Sequence, residues 1–356
     1  MIIDKKKISD DQMPYIIAEL SANHGGNIDR AKKSIEKVAK TGVSAIKIQT
    51  YTPDTMTIKS DLPDFLVKDG LWAGRTLYDL YSEAYTPFEW HEELFKHASD
   101  NNITIFSTPF DESAVDLLEE LNTPAYKIAS FEIVDIPLIR YIAKKNKPIL
   151  ISTGMAKIDE IENAVNAVRN ETEADLLLFH CISSYPTVTE ESNLSNLIKL
   201  KQKFGVHVGL SDHTTNNIAS LTAIGMGAVA IEKHFKVDDE ECGPDASFSL
   251  NLEQIKSLVN ECNQAWMAKG GNNFARSASE EQNLVFRRSL YFVKKLKKGQ
   301  IVKESDIRRI RPGYGLEPKY LNEVIGKVLS RDVNRGEPVS FDILKSYEAK
   351  KQNETY

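Results

Sequence analysis

The chain is poor in cysteine and has no long apolar run, and both absences limit what it can be. Only Cys181, Cys242 and Cys262 occur in 356 residues, and no two of them have CxxC spacing. Such a set is typical of buried or idle thiols in a reducing compartment, not of a disulfide framework. No apolar stretch approaches the ~20 residues that a membrane-spanning helix needs. Because the charged opening, residues 1–7, also shows no secretory signal, we expect a cytoplasmic protein.

An excess of positive charge is also lacking, which bears on the partners. The 45 Lys and Arg residues against 51 Asp and Glu residues give a net charge of −6. A field of this sign argues against nucleic acid or an anionic membrane surface as a partner. An anionic substrate must then be held by local cations, because the overall charge repels it.

What the chain does contain is a repeated pattern of short apolar runs that end in polar residues. Eight such runs are separated by amphipathic stretches of helical length. This alternation favours parallel strands with right-handed crossovers, and eight repeats predict a (β/α)8 TIM barrel of the α/β class. The predicted strands are 15–20, 45–50, 104–110, 125–130, 148–154, 176–183, 207–213 and 228–235.

The chain is longer than one typical barrel, so we predict a second, smaller domain. The barrel is assigned to residues 1–268, a linker rich in Gly, Asn, Ser and Glu to 269–285, and the small domain to 286–356. The connection between the second and third strands, about 51–102, is the longest. Its first part, 53–75, is predicted to be a loop positioned to cover the barrel mouth.

The polar residues at the strand ends predict an active site at the carboxyl end of the barrel. Side chains alternate along a strand, so Lys47 and Gln49 share one face while Ile46 and Ile48 share the other. Because the face toward the helices is aliphatic, the polar set must line the interior top, where TIM barrels keep their active sites. The set is Glu19, Lys47, Gln49, Ser107, Thr108, Lys127, Ser130, Ser152, Ser183, Ser211, His213, Glu232 and His234.

Two histidines in this set predict a metal site. His213 and His234 end the seventh and eighth strands, which lie about 4.8 Å apart. Two imidazoles so placed can share an open, exchangeable divalent cation that acts as a Lewis acid on a carbonyl; we expect Mn²⁺, with Mg²⁺ or Co²⁺ as alternatives. A hydrogen-bonded pair without metal is the other interpretation. Asp212 and Glu232 are candidates to orient the imidazoles, although alternation points Asp212 outward.

Two lysines and several hydroxyls predict an anion site. A phosphate or carboxylate needs cations and directional donors, and the set supplies both. A lysine in a barrel can instead form a Schiff base with a carbonyl substrate, and spacing alone does not separate the two uses. The residues concerned are Lys47, Lys127, Thr108, Ser130, Ser152 and Ser211.

Taken together, the motifs resemble the sialic acid synthase family almost from end to end. They lie at 17–20, 23–25, 47–50, 107–110, 152–155, 210–213, 231–235, 243–245 and 311–313. The C-terminal segment resembles the antifreeze-like (SAF-type) domain of that family. Within the family the likeness is closest to the pseudaminic acid synthases, on residues 70–78, 129–135 and 311–316.

The resemblance implies a metal-dependent transferase that condenses phosphoenolpyruvate with an open-chain acetamido sugar. The products would be a nine-carbon 2-keto acid and phosphate. For the pseudaminic branch the acceptor is 2,4-diacetamido-2,4,6-trideoxy-L-altrose. The alternatives are an N-acetylneuraminic or legionaminic acid synthase, a Schiff-base aldolase, and a carbohydrate-binding scaffold without activity.

The resemblance also assigns roles to residues. His213 and His234 are expected to ligate the metal, and Glu19 to handle protons or steady positive charge at C2. Arg311 is expected to reach the acceptor from the other subunit of a domain-swapped homodimer, although its local sequence alone favours a surface turn. Phosphoenolpyruvate is assigned to Lys47, Thr108, Lys127, Ser130, Ser152, Ser183 and Ser211, and the acceptor to Gln49, Tyr185, Glu232 and Arg311.

One position departs from the family pattern. The family typically has Asn in a Cys-x-Asn-x-Tyr-Pro run, whereas this chain has Ser183 there. Serine is shorter and offers no amide, so the contacts at this point must differ. We interpret the change as part of a changed acceptor site.

Overall fold

Eight parallel strands close a barrel in the first of two units of this computed structural model, which describes residues 1–237, 243–271 and 274–346. Each strand pairs with the next along the chain, and the last pairs with the first. The predicted TIM barrel is confirmed, and every predicted strand contains the observed one. The strands are β1 (Tyr15–Glu19), β2 (Ala45–Thr50), β3 (Thr104–Pro109), β4 (Tyr126–Ile128), β5 (Ile149–Ser152), β6 (Leu176–Cys181), β7 (His207–Asp212) and β8 (Ala230–His234).

Helices follow the strands and cover the barrel. Polar side chains fix several starts: Asn27 accepts from the Arg30 amide, and Asp111 accepts from the Ser113 and Ala114 amides. The main helices are α1 (Ile28–Ala39), α2 (His91–Asp100), α3 (Glu112–Glu120), α4 (Ile136–Ala143), α5 (Ile158–Arg169), α6 (Ser195–Phe204), α7 (Ile218–Gly225) and α8 (Leu252–Lys269). Over the ranges described, no helix has the length and apolar character to cross a membrane.

The first part of the long β2–β3 connection, predicted to be a loop, contains a short helix and a 3-10 turn, and a longer helix follows it. Helices occupy Pro53–Met56 and Leu77–Ala84, and a 3-10 turn occupies Pro63–Phe65. Elsewhere in this unit, 3-10 turns lie at Phe88–Trp90, Phe131–Val134 and Thr189–Glu191, and a short antiparallel pair joins Ile2–Ile3 to Lys6–Lys7.

The core has two layers that follow the alternation of the strands. Inward side chains such as Ile17, Phe106 and Phe179 fill the lower part of the barrel. Outward side chains such as Ile46 and Ile48 pack under the helices. Because the lower barrel is filled with apolar groups, the polar residues above it lie in a poorly solvated setting, where charge interactions are strong.

The second unit begins at Gly271 and has its own small core. Within the predicted linker, Ala278–Glu281 is a turn of helix capped by Ser277, and Gln282–Phe286 is a 3-10 turn. Two antiparallel pairs follow, Ser289–Phe292 with Ile307–Ile310 and Val328–Leu329 with Leu344–Lys345. A short helix occupies Leu321–Val324, and 3-10 turns occupy Glu304–Asp306, Pro318–Tyr320 and Phe341–Ile343.

Candidate active site

A cavity of about 380 Å³ opens at the carboxyl ends of the barrel strands. Four buried ionisable residues form what we call the charge cluster: Lys47, Lys127 and Glu232 line one side of the cavity, and Glu19 pairs with Lys47. Beside it lies the histidine pair, His213 and His234. The β2–β3 connection and adjacent strand ends supply a third side, the apolar wall, which consists of Tyr51, Met56, Val67, Trp72, Leu77, Leu80, Tyr81 and Phe110.

The charge cluster is held together by direct ion pairs. Lys47 Nζ lies 2.8 Å from Glu19 Oε2 and 3.5 Å from Glu232 Oε1, and it donates to Thr108 Oγ1 at 3.1 Å. Lys127 Nζ donates to both carboxylate oxygens of Glu232 at 3.2 Å. Since buried charges are tolerated only when paired, each group depends on the others for its position.

Burial and neighbouring charges shift the ionisation of these groups in different directions. Burial raises the pKa of Glu19 to about 7, against the lowering effect of Lys47. Burial would also raise the pKa of Glu232, but Lys127 and Lys47 outweigh it, so the pKa is lowered. At Lys47, burial opposes the charged form, but the carboxylates of Glu19 and Glu232 outweigh it and raise the pKa. At Lys127, burial outweighs the attraction of Glu232, so the pKa is lowered. Within the charge cluster, Glu19 is therefore the carboxyl that exchanges a proton near neutral pH.

Three hydroxyls of the predicted anion site lie next to the cluster. Ser211 donates to Glu232 Oε1 at 3.4 Å, and Ser130 Oγ accepts from the Gly154 amide at 3.2 Å. Ser152 Oγ is buried and has no hydrogen-bond partner in the protein. An unpaired buried hydroxyl at a cavity wall is a group that a ligand can satisfy.

Gly154 is required here by close approach of its neighbours. A Cβ at this position would meet Ser183 Oγ at 2.2 Å and Ser130 Oγ at 2.7 Å. Both distances are far below van der Waals contact, so any side chain would push these serines out of place. The β5 end therefore fixes the position of two predicted ligand-binding serines.

The histidine pair meets the requirements of a two-imidazole metal site. The ring centroids lie 5.3 Å apart. His213 Nδ1 donates to the Ile182 carbonyl oxygen at 3.0 Å, which leaves Nε2 as its free nitrogen. His234 Nδ1 is buried without a hydrogen-bond partner and lies 3.7 Å from Asp245 Oδ2. Over the ranges described, no group of three or more His, Cys, Asp or Glu forms a metal site, so the protein ligands would be these two rings.

Protonation of the two imidazoles differs. Burial lowers the pKa of His234 well below its ordinary value, so this ring is neutral and its lone pair is free for a cation. Burial also acts against a charge on His213, but the Cys181 sulfur, 3.9 Å from Nδ1, raises its pKa. A cation that binds His213 would therefore compete with a proton.

Aromatic rings pack against the two histidines. The Tyr185 ring lies 4.5 Å from the His213 ring, and the Phe248 ring lies 5.0 Å from the His234 ring. Trp72 stacks near Tyr185 at 5.6 Å and donates its indole N–H to the Pro244 carbonyl oxygen at 3.0 Å. The long β2–β3 connection is thus anchored to the segment after β8.

The structure brings most of the predicted site residues to this one cavity. Ser183 is an exception, because it packs against Gly154 beside the cavity and is not part of its lining. Ser107 is another: it hydrogen-bonds to the Thr50 hydroxyl and to the Ile48 carbonyl oxygen and does not line the cavity. Arg311 belongs to the second unit, where it is exposed. Residues at the cavity or in direct contact with its charged groups are Glu19, Lys47, Gln49, Thr108, Lys127, Ser130, Ser152, Tyr185, Ser211, His213, Glu232 and His234.

Two predictions need correction. Asp212 does not orient an imidazole: it pairs with Lys233 Nζ at 2.7 Å and accepts from Ser220 at 2.6 Å on the outward face of the barrel. Glu232 is held by the two lysines and not by a histidine ring. Cys181 is a buried free thiol, as predicted, and it lines the cavity next to His213. Cys242 lies outside the described residues.

Sequence reasoning missed several residues that line the cavity. Asp245 and Ser21 contribute buried polar groups, Trp72 belongs to the apolar wall, and Glu132 also lines the cavity. Burial raises the pKa of Glu132 to about 7. Asp245 and Trp72 lie in motifs on which the family resemblance rests, and this could have marked them as site residues. Both lie in irregular loops, however, where no sequence periodicity predicts the direction of a side chain.

Comparison with known proteins identifies the family. A model of the NeuB family matches residues 34–274, and a model of the SAF domain matches residues 287–345. The chain belongs to the NeuB family. This confirms the predicted sialic acid synthase membership and the SAF-type second domain.

Relatives within the NeuB family include named synthases. The chain is 43% identical over 327 residues to a pseudaminic acid synthase of Campylobacter jejuni, covering 92% of this chain and 95% of the relative. It is 40% identical over 332 residues to a pseudaminic acid synthase of Helicobacter pylori, covering 93% and 98%. A crystal structure of N-acetylneuraminic acid synthetase from Leptospira borgpetersenii, in complex with citrate, matches with a TM-score of 0.72 and 29% identity over 80% of this chain and 94% of that one.

Proposed function

We propose that this chain is a pseudaminic acid synthase. It condenses phosphoenolpyruvate with 2,4-diacetamido-2,4,6-trideoxy-L-altrose and water to give pseudaminic acid and phosphate. The observation that carries the proposal is one cavity with two buried lysines, two histidines and an apolar wall side by side. The two relatives named above as pseudaminic acid synthases support the choice of acceptor.

The charge cluster supplies the phosphoenolpyruvate site. The chain has a net charge of −6, so a multiply charged anion needs local cations to enter. Lys47 and Lys127 are buried cations, and Ser152 offers a hydroxyl without a partner. Glu19 and Glu232 keep the lysines in place before the substrate arrives. We infer that the phosphate lies near Lys47 and that the vinyl carbon faces the histidine pair, because both line the same cavity.

A divalent cation, Mn²⁺ by preference, would be held by His213 and His234 and would polarise the sugar aldehyde when bound. The orphaned Nδ1 of His234 and the free Nε2 of His213 support this assignment. Asp245, 3.7 Å from His234, would neutralise part of the added charge.

The bond changes balance without another reactant. C3 of phosphoenolpyruvate forms a bond to the aldehyde carbon, whose oxygen takes a proton and becomes a hydroxyl. Water adds at C2 and loses one proton; the C2 hydroxyl then passes its remaining proton to the departing phosphate as the C2–O bond breaks, so that C2 becomes the keto carbon and phosphate leaves with the bridging oxygen. Glu19 lies 2.8 Å from Lys47 within the cluster and is the carboxylate that accepts the proton that water loses and stabilises positive charge at C2.

The apolar wall supports a 6-deoxy acceptor. Met56, Val67, Leu77 and Leu80 offer no hydrogen bonds to a 6-hydroxyl group, which would lose its water on binding. A C6 methyl and the methyls of two acetamido groups gain from contact with the same surface. This disfavours N-acetylneuraminic acid synthesis, whose acceptor keeps the 6-hydroxyl.

We further infer a homodimer in which the second unit covers the partner's cavity and Arg311 contacts the acceptor. Charge supports this association: residues 1–270 hold 27 Lys and Arg against 40 Asp and Glu, whereas residues 271–356 hold 18 against 11. Opposite net charges of −13 and +7 attract. The test is sedimentation at low and high salt together with Arg311→Ala, for which we expect a raised KM for the acceptor.

Product analysis tests the proposed function. The enzyme is incubated with phosphoenolpyruvate, Mn²⁺ and each of three acceptors, those of the pseudaminic, legionaminic and sialic acid routes, and products are identified by mass spectrometry. We expect pseudaminic acid in the first incubation and oxygen-18 from the bridging position in phosphate. Product from another acceptor alone would reassign the enzyme, and borohydride trapping of pyruvate on Lys47 or Lys127 would support an aldolase.

A further inference from the structure

Ser21 has a backbone conformation that serine normally avoids. Its φ is +47°, and its side chain is 3% exposed. Within residues 1–237, 243–271 and 274–346 it is the only buried non-glycine residue with φ in the left-handed region. Such a conformation costs about 1 kcal/mol or more, and it persists where surrounding contacts determine it, which is common in active sites.

The contacts of the Ser21 hydroxyl explain what the conformation achieves. Ser21 follows β1 by two residues, and its Oγ lies at the cavity between two polar side chains. It donates to Asp245 Oδ2 at 2.5 Å and accepts from Gln49 Nε2 at 2.9 Å. Asp245 comes from the segment after β8 and Gln49 from β2, so one hydroxyl joins parts of the chain on either side of β1.

The direction of these hydrogen bonds is fixed by chemistry. A carboxylate accepts only, so the single proton of Ser21 goes to Asp245. The Ser21 oxygen can then only accept from Gln49, which must present its NH₂ group. The second N–H of that group donates to Glu19 Oε1 at 3.2 Å. With both N–H groups used, the side-chain carbonyl oxygen of Gln49 is the group left for a ligand.

We propose that Ser21 is a positioning residue that turns the Gln49 carbonyl oxygen toward the acceptor sugar. The acceptor must then offer a donor at that point, either a hydroxyl or an acetamido N–H. The proposal rests on the proposed function, since it concerns the acceptor of that reaction. The same hydroxyl holds Asp245 beside His234, so the acceptor end of the cavity has a fixed spacing to Glu19.

Two substitutions separate this role from a structural one. Ser21→Ala and Ser21→Gly both remove the hydroxyl, but glycine adopts positive φ freely whereas alanine does not. We expect both variants to raise the KM for the acceptor by about tenfold, which corresponds to the loss of one hydrogen bond to a charged or aligned group. The KM for phosphoenolpyruvate should stay within about twofold of wild type. We expect Ser21→Gly to melt at or above the wild-type temperature and Ser21→Ala to melt below Ser21→Gly.

A double-mutant cycle with Gln49 adds a second readout. If Ser21 acts through Gln49, the variant Ser21→Gly/Gln49→Ala should bind acceptor no more weakly than Gln49→Ala alone. Losses that multiply, or a Ser21→Gly enzyme with wild-type acceptor KM, would overturn the proposal. So would an acceptor defect that appears in Ser21→Ala only, because it would follow backbone strain and not the hydroxyl.

The closing experiment measures acceptor affinity directly, so that the two proposals fail in different ways. The non-reacting sugar alcohols of the three acceptors are titrated calorimetrically into wild type, Ser21→Gly and Ser21→Ala with phosphoenolpyruvate present. Wild-type binding with a weaker affinity of about tenfold in both variants supports the role of Ser21. Equal affinities in the three proteins overturn that role alone. A wild type that binds none of the sugars overturns the proposed function and the Ser21 inference with it.

Discussion

The two sides of the cavity differ in both chemistry and origin. The charge cluster comes from strand ends of β1, β2, β4 and β8, which the hydrogen-bonded barrel holds in fixed positions. Much of the apolar wall comes from the long connection after β2, which carries Met56, Val67, Trp72, Leu77 and Leu80. Under the proposed function, the barrel supplies the groups that bind phosphoenolpyruvate, whereas the connection supplies the surface that faces the acceptor.

Removal of a cluster lysine should have the largest effect. Lys127→Met leaves Glu232 without its two 3.2 Å hydrogen bonds and takes one cation from the substrate. We expect kcat/KM for phosphoenolpyruvate to fall roughly a thousandfold, the loss of about two charge-assisted hydrogen bonds.

Lys233 is a matched control for that substitution. It is also a buried strand lysine, but it pairs with Asp212 on the outward face. Lys233→Met should lower the melting temperature and leave the KM for phosphoenolpyruvate of the folded enzyme unchanged. If Lys127→Met and Lys233→Met have the same kinetics, the charge cluster has no specific role in binding phosphoenolpyruvate.

Loss of either histidine should have the next largest effect. His213→Ala and His234→Ala each remove one of the two proposed protein ligands, so we expect Mn²⁺ affinity to fall at least about a hundredfold in calorimetric titration. His207→Gln, at the other end of β7, should keep wild-type affinity. Tight Mn²⁺ binding by the alanine variants would place the metal elsewhere.

The charge cluster should also set the pH dependence. Burial raises the pKa of Glu19 to about 7, so the carboxyl is protonated below that pH and ionised above it. Because the ionised form accepts the proton from water, kcat/KM should fall about tenfold per pH unit below this value. Glu19→Gln should remove that limb as well as most of the activity; the same limb in the variant would assign it to another group.

The raised pKa has an opposite consequence for stability. The unfolded carboxyl ionises near 4.5, whereas the folded one keeps its proton to about pH 7. The folded state thus binds more protons in this window, and the free energy of unfolding should decrease as pH rises through it. In denaturant titrations, the free energy of unfolding should fall more between pH 5 and pH 8 in the wild type than in Glu19→Gln, which has no carboxyl to ionise at this position.

A substitution in the apolar wall should have the smallest effect and should act on selectivity. Met56→Gln adds hydrogen-bonding groups where a deoxy sugar places its methyl, so preference for 6-deoxy over 6-hydroxy acceptors should fall about tenfold. Leu62→Gln, on the same connection but 63% exposed, should change nothing. Equal selectivity in wild type and Met56→Gln would deny the wall its role.

Sequence patterns predicted the cavity residues that lie on barrel strands better than those that lie on the connecting segments. Alternation along strands placed Lys47, Lys127 and Glu232 inside, since a one-residue shift would have put them among aliphatic side chains. Trp72, Asp245 and Ser21 were missed because they lie in irregular segments. There, turns such as the left-handed one at Ser21 decide where side chains point, and no period records them.

Alternation also explains the Asp212 correction. The residue is adjacent to His213 in sequence, but neighbours on a strand face opposite sides. Its partner, Lys233, is likewise adjacent to His234. Because Asp212 and Lys233 both point to the outward face, on the neighbouring strands β7 and β8, they form a buried ion pair there. A role beside a candidate metal ligand is therefore better supported when a residue points to the same face of the strand than when it is merely adjacent in sequence.

The most direct test is diffraction from crystals soaked with Mn²⁺ and phosphoenolpyruvate. We predict anomalous density for manganese between His213 and His234, and phosphate density within hydrogen-bond distance of Lys47 or Lys127. Manganese at another place, or a phosphate bound away from both lysines, would contradict the assignment of this cavity.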